Sequence, residues 1–174
     1  MWRLLRIPDG PFDCDFVVTR SGVQVLELSP RLGGNGLASL LRHSMGLDLA
    51  FYAIAHALGQ RPEPPARNGR TRPAAALILG VPRAGHLRFE RAAAAGLRRE
   101  PWVRALGFDY PRGARVPAFT NGRDRVGEAL VTASSREELD ARVRGLLRRL
   151  RLASDARPAA AEAGWGAFAL GGAP

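Results

Sequence analysis

Two short β-prone runs, Cys14-Asp15-Phe16-Val17-Val18-Thr19 and Val23-Gln24-Val25-Leu26-Glu27, flank the turn Arg20-Ser21-Gly22. The second run leads straight into Leu28-Ser29-Pro30-Arg31-Leu32-Gly33-Gly34-Asn35-Gly36. β-Branched and aromatic residues on both sides of a glycine-containing turn fold as an antiparallel hairpin. That pairing brings Asp15 and Glu27 to the open end of the hairpin, where they can point the same way. Ordinary core packing does not ask for a carboxylate, a proline, an arginine and a glycine-rich loop in this order. Oxygen ligands at a strand end can hold a divalent cation, and an arginine four residues on can reach a phosphate that the cation bridges. Glycines let the backbone approach a ligand closely.

These residues resemble the C-terminal metal-binding segment of ATP-grasp enzymes, a superfamily that includes biotin carboxylase, carbamoyl phosphate synthase, D-alanine–D-alanine ligase and the amino-acid ligases. The family pattern is an acidic residue on one strand and Glu-x-Asn-x-Arg at the end of the next. Asp15 matches the first metal ligand, Glu27 the bridging one, and Arg31 the arginine that contacts phosphate or the acyl-phosphate intermediate. Ser29 stands where the family has asparagine, and a hydroxyl is a weaker metal ligand than an amide oxygen. Gly33, Gly34 and Asn35 look most like the amino-acid-ligase branch, where the resemblance has them shape the acceptor side of the site.

The resemblance implies an α+β fold. An ATP-grasp C-terminal subdomain, an antiparallel sheet with packed helices, comes first, followed by a smaller β-rich segment. It also implies catalysis through Arg31, nucleotide contacts from Glu27, Arg31, Gly33, Gly34 and Asn35, and metal ligation by Asp15, Glu27 and Ser29. The cofactors would be ATP and Mg²⁺ (or Mn²⁺), and the substrates a carboxylate and an amine joined through an acyl phosphate. Little sequence precedes Asp15, and all 26 basic residues are arginine, so the phosphate-binding lysines of the family are absent. The expectation is the C-terminal portion of a ligase, inactive alone and completed by a separate chain or a homodimer. A non-catalytic remnant and a basic nucleic-acid-binding protein are the alternatives.

Composition narrows these. The net charge of +10 would ordinarily point to nucleic acid. Arginine without lysine, amid abundant Ala, Gly and Pro, reads instead as compositional bias. The arginines are spread along the chain except in the run from Arg142 to Arg151, and aromatics do not interleave with them as a stacking platform requires. No apolar run approaches the roughly 20 residues that span a bilayer. The single cysteine, Cys14, excludes an internal disulfide and fits a reducing cytoplasm. No His/Cys cluster has zinc spacing.

Four parts are expected: a metal- and phosphate-binding segment at 1–59, a proline-rich linker at 60–73, a β-rich segment with a covering helix at 74–152, and a disordered tail at 153–174. Leu37 to Met45 reads as a short helix, and Leu49 to Leu58 as another after an Asp48 cap. His43 and His56 read as surface or packing residues. Ala74 to Gly80 reads as a buried strand with Gly85 to Phe89 beside it. Glu90 to Gly96 reads as a short helix, with strands over Trp102 to Phe108, Ala114 to Phe119 and Arg125 to Ala133. Asn121-Gly122 is expected to be the hairpin turn between the last two strands. Ser135-Arg136-Glu137-Glu138 is a capping box opening a helix with the stripe Leu139, Val143, Leu146, Leu147 and Leu150.

Overall fold

A computed structural model describes residues 9–63 and 71–155. The chain divides into two compact units, with the boundary after Gly69. The expected linker core and most of the expected tail, including Trp165 and Phe168, lie outside the described residues.

In the first unit, β1 (Asp13–Thr19) pairs antiparallel with β2 (Gly22–Ser29) as a two-stranded sheet. Helices α1 (Leu37–Met45) and α2 (Leu49–Ala57) follow. Asp48 caps α2 by accepting from the Phe51 amide at 3.1 Å. Gly46 closes α1 in the left-handed conformation at φ 72°, a position where glycine carries no Cβ penalty. Little of the hairpin is buried. Phe16, Val18, Val23 and Val25 share one face, by the pairs Phe16↔Val25 and Val18↔Val23, and all four are exposed.

The second unit is the larger of the two, not the smaller. Its main sheet has the order β3 (Ala74–Leu79), β7 (Gly127–Thr132), β5 (Val103–Phe108), antiparallel throughout. A second sheet has the order β6 (Arg115–Val116), β4 (Gly85–Arg88), β8 (Ala153–Ser154). Helix α3 is Arg91–Leu97 and α4 is Arg136–Leu150. One apolar core joins Leu77 and Leu79 of β3, Leu87 of β4, Leu97 of α3, Val131 of β7 and Leu146 and Leu150 of α4. The α4 stripe is the reason this helix forms: Leu139, Leu146 and Leu150 are buried, with Val143 and Leu147 packed alongside.

Three expectations are corrected here. The strand β4 is not the neighbour of β3, which pairs with β7 instead. Asn121-Gly122 is no hairpin turn, and β6 and β7 lie in different sheets. The Asn121 side chain instead caps a 3₁₀ turn over Gly122–Asp124, while Asp124 accepts from the amides of Thr120 and Asn121. A satisfied local polar network overrides the turn preference of the dipeptide. The expected tail begins too early, because Ala153–Ser154 is the strand β8, paired with Leu87 and Arg88, and Asp155 accepts from the His86 amide at 2.7 Å.

At the start of α4, Ser135 accepts from the Glu138 amide at 3.2 Å. The Glu138 carboxylate turns to Ser134, accepting from its hydroxyl and, at 2.8 Å, from its amide. The Ser134 hydroxyl bond, then its amide, then Arg142, hold the Glu138 carboxyl below the ordinary 4.5. A depressed carboxyl contributes stability above its unfolded pKa, and that contribution is lost as pH falls through the folded value. Glu138→Gln is therefore expected to lower the melting temperature at pH 7. The gap to the parent should close as both are melted at successively lower pH below about 4. A gap independent of pH would show that the charge of Glu138 plays no part.

Candidate metal and phosphate site

The register of the hairpin decides the geometry of this site. Asp15 lies directly across from Glu27, and Asp13 directly across from Ser29. Opposed residues share a face, and so do residues two apart on one strand. Asp13, Asp15, Glu27 and Ser29 therefore stand together on one face at the open end of the hairpin. The register shifts by one residue just beyond Asp15, with Leu26 the extra residue on β2. Such a bulge bends a strand and re-aims the adjoining side chains. Here it adjoins Glu27.

Two contacts order this face. The Ser29 hydroxyl donates to Glu27 Oε1 at 2.7 Å. Arg31 Nη1 donates to Asp13 Oδ2 at 3.1 Å and to the Leu32 carbonyl at 3.0 Å. Arg31 remains more than half exposed, so the Asp13 pair orients the guanidinium without sequestering it. A Cβ on Gly33 would lie 2.4 Å from Leu37 Cδ2 and 3.0 Å from Asp13 Oδ1, so glycine lets the loop lie against this carboxylate. Asn35 and Gly36 are both left-handed, at φ 53° and 77°, and turn the chain into α1.

Among the described residues, no three His, Cys, Asp or Glu side chains form a ready metal cage. The donors present still fit Mg²⁺. That ion keeps several waters and is held by one or two carboxylates together with substrate phosphates, not by an all-protein cage. Asp15 and Glu27 present two carboxylates directly opposed on one face. Ser29 already spends its proton on Glu27, so its hydroxyl orients a carboxylate whatever else it contacts.

Asp13 joins the candidate site residues through the strand register, and its signal in the sequence is the alternation Asp13-Cys14-Asp15 at the period of a strand, which puts both acids on one face. His56 lines a mainly apolar cavity of about 580 Å³ with Phe12, Leu32, Leu49 and Tyr52, and its Nε2 lies 2.9 Å from the Asp9 carbonyl. His43 is exposed on α1. Among the described residues, no helix is long and apolar enough to cross a membrane.

Comparison with known proteins bears on both units. The family described as L-amino acid ligase C-terminal domain 2 matches residues 78–154, within the second unit. No curated protein sequence matches the chain. In fold, it is similar to a phosphoribosylglycinamide synthetase from Anaerococcus prevotii (TM-score 0.70, 14% identity), covering 88% of this chain and 39% of that one. It is also similar to an L-amino acid ligase from Bacillus licheniformis (TM-score 0.68, 21% identity), covering 87% and 39%. A biotin carboxylase from Campylobacter jejuni, solved with a β,γ-ATP ligand, aligns at TM-score 0.57 and 17% identity, covering 83% and 32%. The chain thus spans well under half the length of each neighbour.

Proposed function

We propose that this chain is the C-terminal part of an ATP-grasp ligase and supplies the metal- and phosphate-binding wall of an ATP- and Mg²⁺-dependent carboxylate–amine ligase, a reading supported by the family match over residues 78–154 and by the fold neighbours. The observation that carries this reading is the direct opposition of Asp15 and Glu27 beside an arginine held by Asp13.

In this reading Asp15 and Glu27 hold Mg²⁺ (or Mn²⁺), and Ser29 fixes the Oε1 edge of Glu27. The bound ion would neutralise charge on the phosphoryl group in transfer. Arg31 offers the guanidinium edge that Asp13 does not occupy to the phosphoryl or acyl-phosphate oxygens, as a planar fork that lysine cannot copy. Gly33, Gly34 and Asn35 shape the acceptor side. The carboxylate substrate takes the phosphoryl group from ATP, and the amine then displaces phosphate. The exposed apolar face of Phe16, Val18, Val23 and Val25 supports a partner surface there, supplied by the rest of the enzyme.

The fold neighbours are more than twice as long as this chain, and we assign the nucleotide clamp to the part it does not span. The chain by itself is therefore expected to bind Mn²⁺ weakly and ATP more weakly still, because charge contacts in a solvated, one-walled site are screened. Calorimetry on the purified chain tests this. Mn²⁺ heats that disappear in Asp15→Asn and Glu27→Gln are expected. Low-micromolar ATP binding, or phosphate release with amino acids and no added protein, would overturn the one-wall reading. Mn²⁺ binding indifferent to both variants would overturn the site itself.

A further inference from the structure

A second cavity, of about 260 Å³, lies wholly within the second unit. It is lined by Arg72, Trp102, Arg104, Thr132, Ser134 and Arg142, together with Pro101 and Ala133, and no acidic residue lines it. Arginine is abundant in this chain, so three of them around a hollow mean little by number alone. What distinguishes this set is how it is held. Thr132 is the buried polar residue of the described core, only 2% exposed. Its hydroxyl accepts from Arg104 Nε at 3.1 Å, and its carbonyl accepts from Arg142 Nη1 at 2.6 Å. One buried residue thus anchors two guanidinium groups from two different elements.

The backbone supports the arrangement. β5 pairs Val103 with Val131 and Ala105 with Leu130, which leaves Arg104 as the extra residue of a β-bulge. Bulges re-aim a side chain, and this one carries an arginine to the cavity. With Nε committed to Thr132, both terminal nitrogens of Arg104 have no partner among the described residues. Arg142 lies over the Trp102 ring at 5.6 Å and is paired with Glu138 at 2.7 Å, which fixes the cation in place. A guanidinium held by its Nε presents the two-pronged edge that matches an oxyanion.

We propose that this cavity binds a small polyanionic metabolite through a phosphate or carboxylate edge seated on Arg104 and flanked by Arg142, Arg72 and the face of Trp102. The cavity is lined by second-unit residues, whereas Asp15 and Glu27 belong to the first unit, and the proposal does not depend on the ligase reading.

Calorimetry on the whole chain with pyrophosphate and, separately, with malonate, at matched ionic strength, tests it and tells the two anion chemistries apart. A sub-millimolar Kd is expected for at least one of them. Arg104→Gln should weaken it by about tenfold or more, with Arg104→Lys falling between. Thr132→Val should weaken it as well, by releasing the anchor, and thermal melts will show whether that variant still folds. Arg20→Gln, at an exposed turn arginine, should leave it unchanged. No heat from either anion up to about 10 mM, the same Kd in Arg104→Gln, or loss of binding in Arg20→Gln would each overturn the proposal.

Discussion

Glu27→Gln is expected to cut turnover of the proposed ligase assembly by on the order of a hundredfold or more while leaving the melting temperature nearly unchanged. The amide keeps the shape of the carboxylate and can still accept from Ser29, which now donates to Oε1 at 2.7 Å. What it loses is the charge that, in the proposed reading, would bind a hard cation opposite Asp15. The hairpin end is lightly buried, so little folding energy rides on the substitution. Ser29→Ala should cost less, about tenfold, because it frees a ligand to rotate without removing it. Arg31→Lys should keep the fold and the charge but lose the fork, impairing phosphate engagement more than stability. Steady-state kinetics beside thermal melts separate these outcomes. A Glu27→Gln enzyme of full activity, or one whose activity falls only as far as its stability, would remove Glu27 from the site.

The largest effect on stability is expected from Gly127→Ala. A Cβ there would lie 2.3 Å from the Gly107 carbonyl oxygen and 3.0 Å from the Phe108 Cα. Both are backbone atoms of β5, in the stretch where Gly107 faces Glu128 and Phe108 faces Gly127. No side chain can swing aside, so one strand must move. β7 is the middle strand of its sheet, and the displacement would reach β3 as well. A cost of about 3 kcal/mol is expected, at the upper end of overpacking penalties. For a unit of this size that lowers the melting temperature by roughly 10–20 °C. Gly107→Ala is the control: its added Cβ meets nothing within 4 Å, so it should melt close to the parent. Equal losses in the two variants would mean that glycine matters here for some reason other than close strand approach.

The helices of the second unit were legible because their signals are local. The α4 stripe repeats at helical spacing, and Ser135 takes its cap from bonds within four residues. The first hairpin was legible for the same reason: its two runs are joined by a two-residue turn at Arg20 and Ser21, and period-two alternation carries Asp15 and Glu27 to one face. Asn121-Gly122 misled because the dipeptide preference of about one turn competes with a side-chain network centred on Asp124, and the network satisfies more donors.

By itself, then, the sequence determined the hairpin, its acidic end, the helix caps and the apolar stripe, since each depends on residues close together in the chain. Tertiary structure alone decided the rest. It set β7 between β3 and β5, tied Ala153–Ser154 to β4, paired Arg31 with Asp13, and gathered Arg104 and Arg142 around Thr132. Those partners lie 10 to 67 residues apart in the chain, as Thr132–Arg142 and Leu87–Ser154 show at the two ends of the range. Which strand pairs with which at such distances is chosen by how much apolar surface the whole unit can bury, and no local propensity encodes that sum.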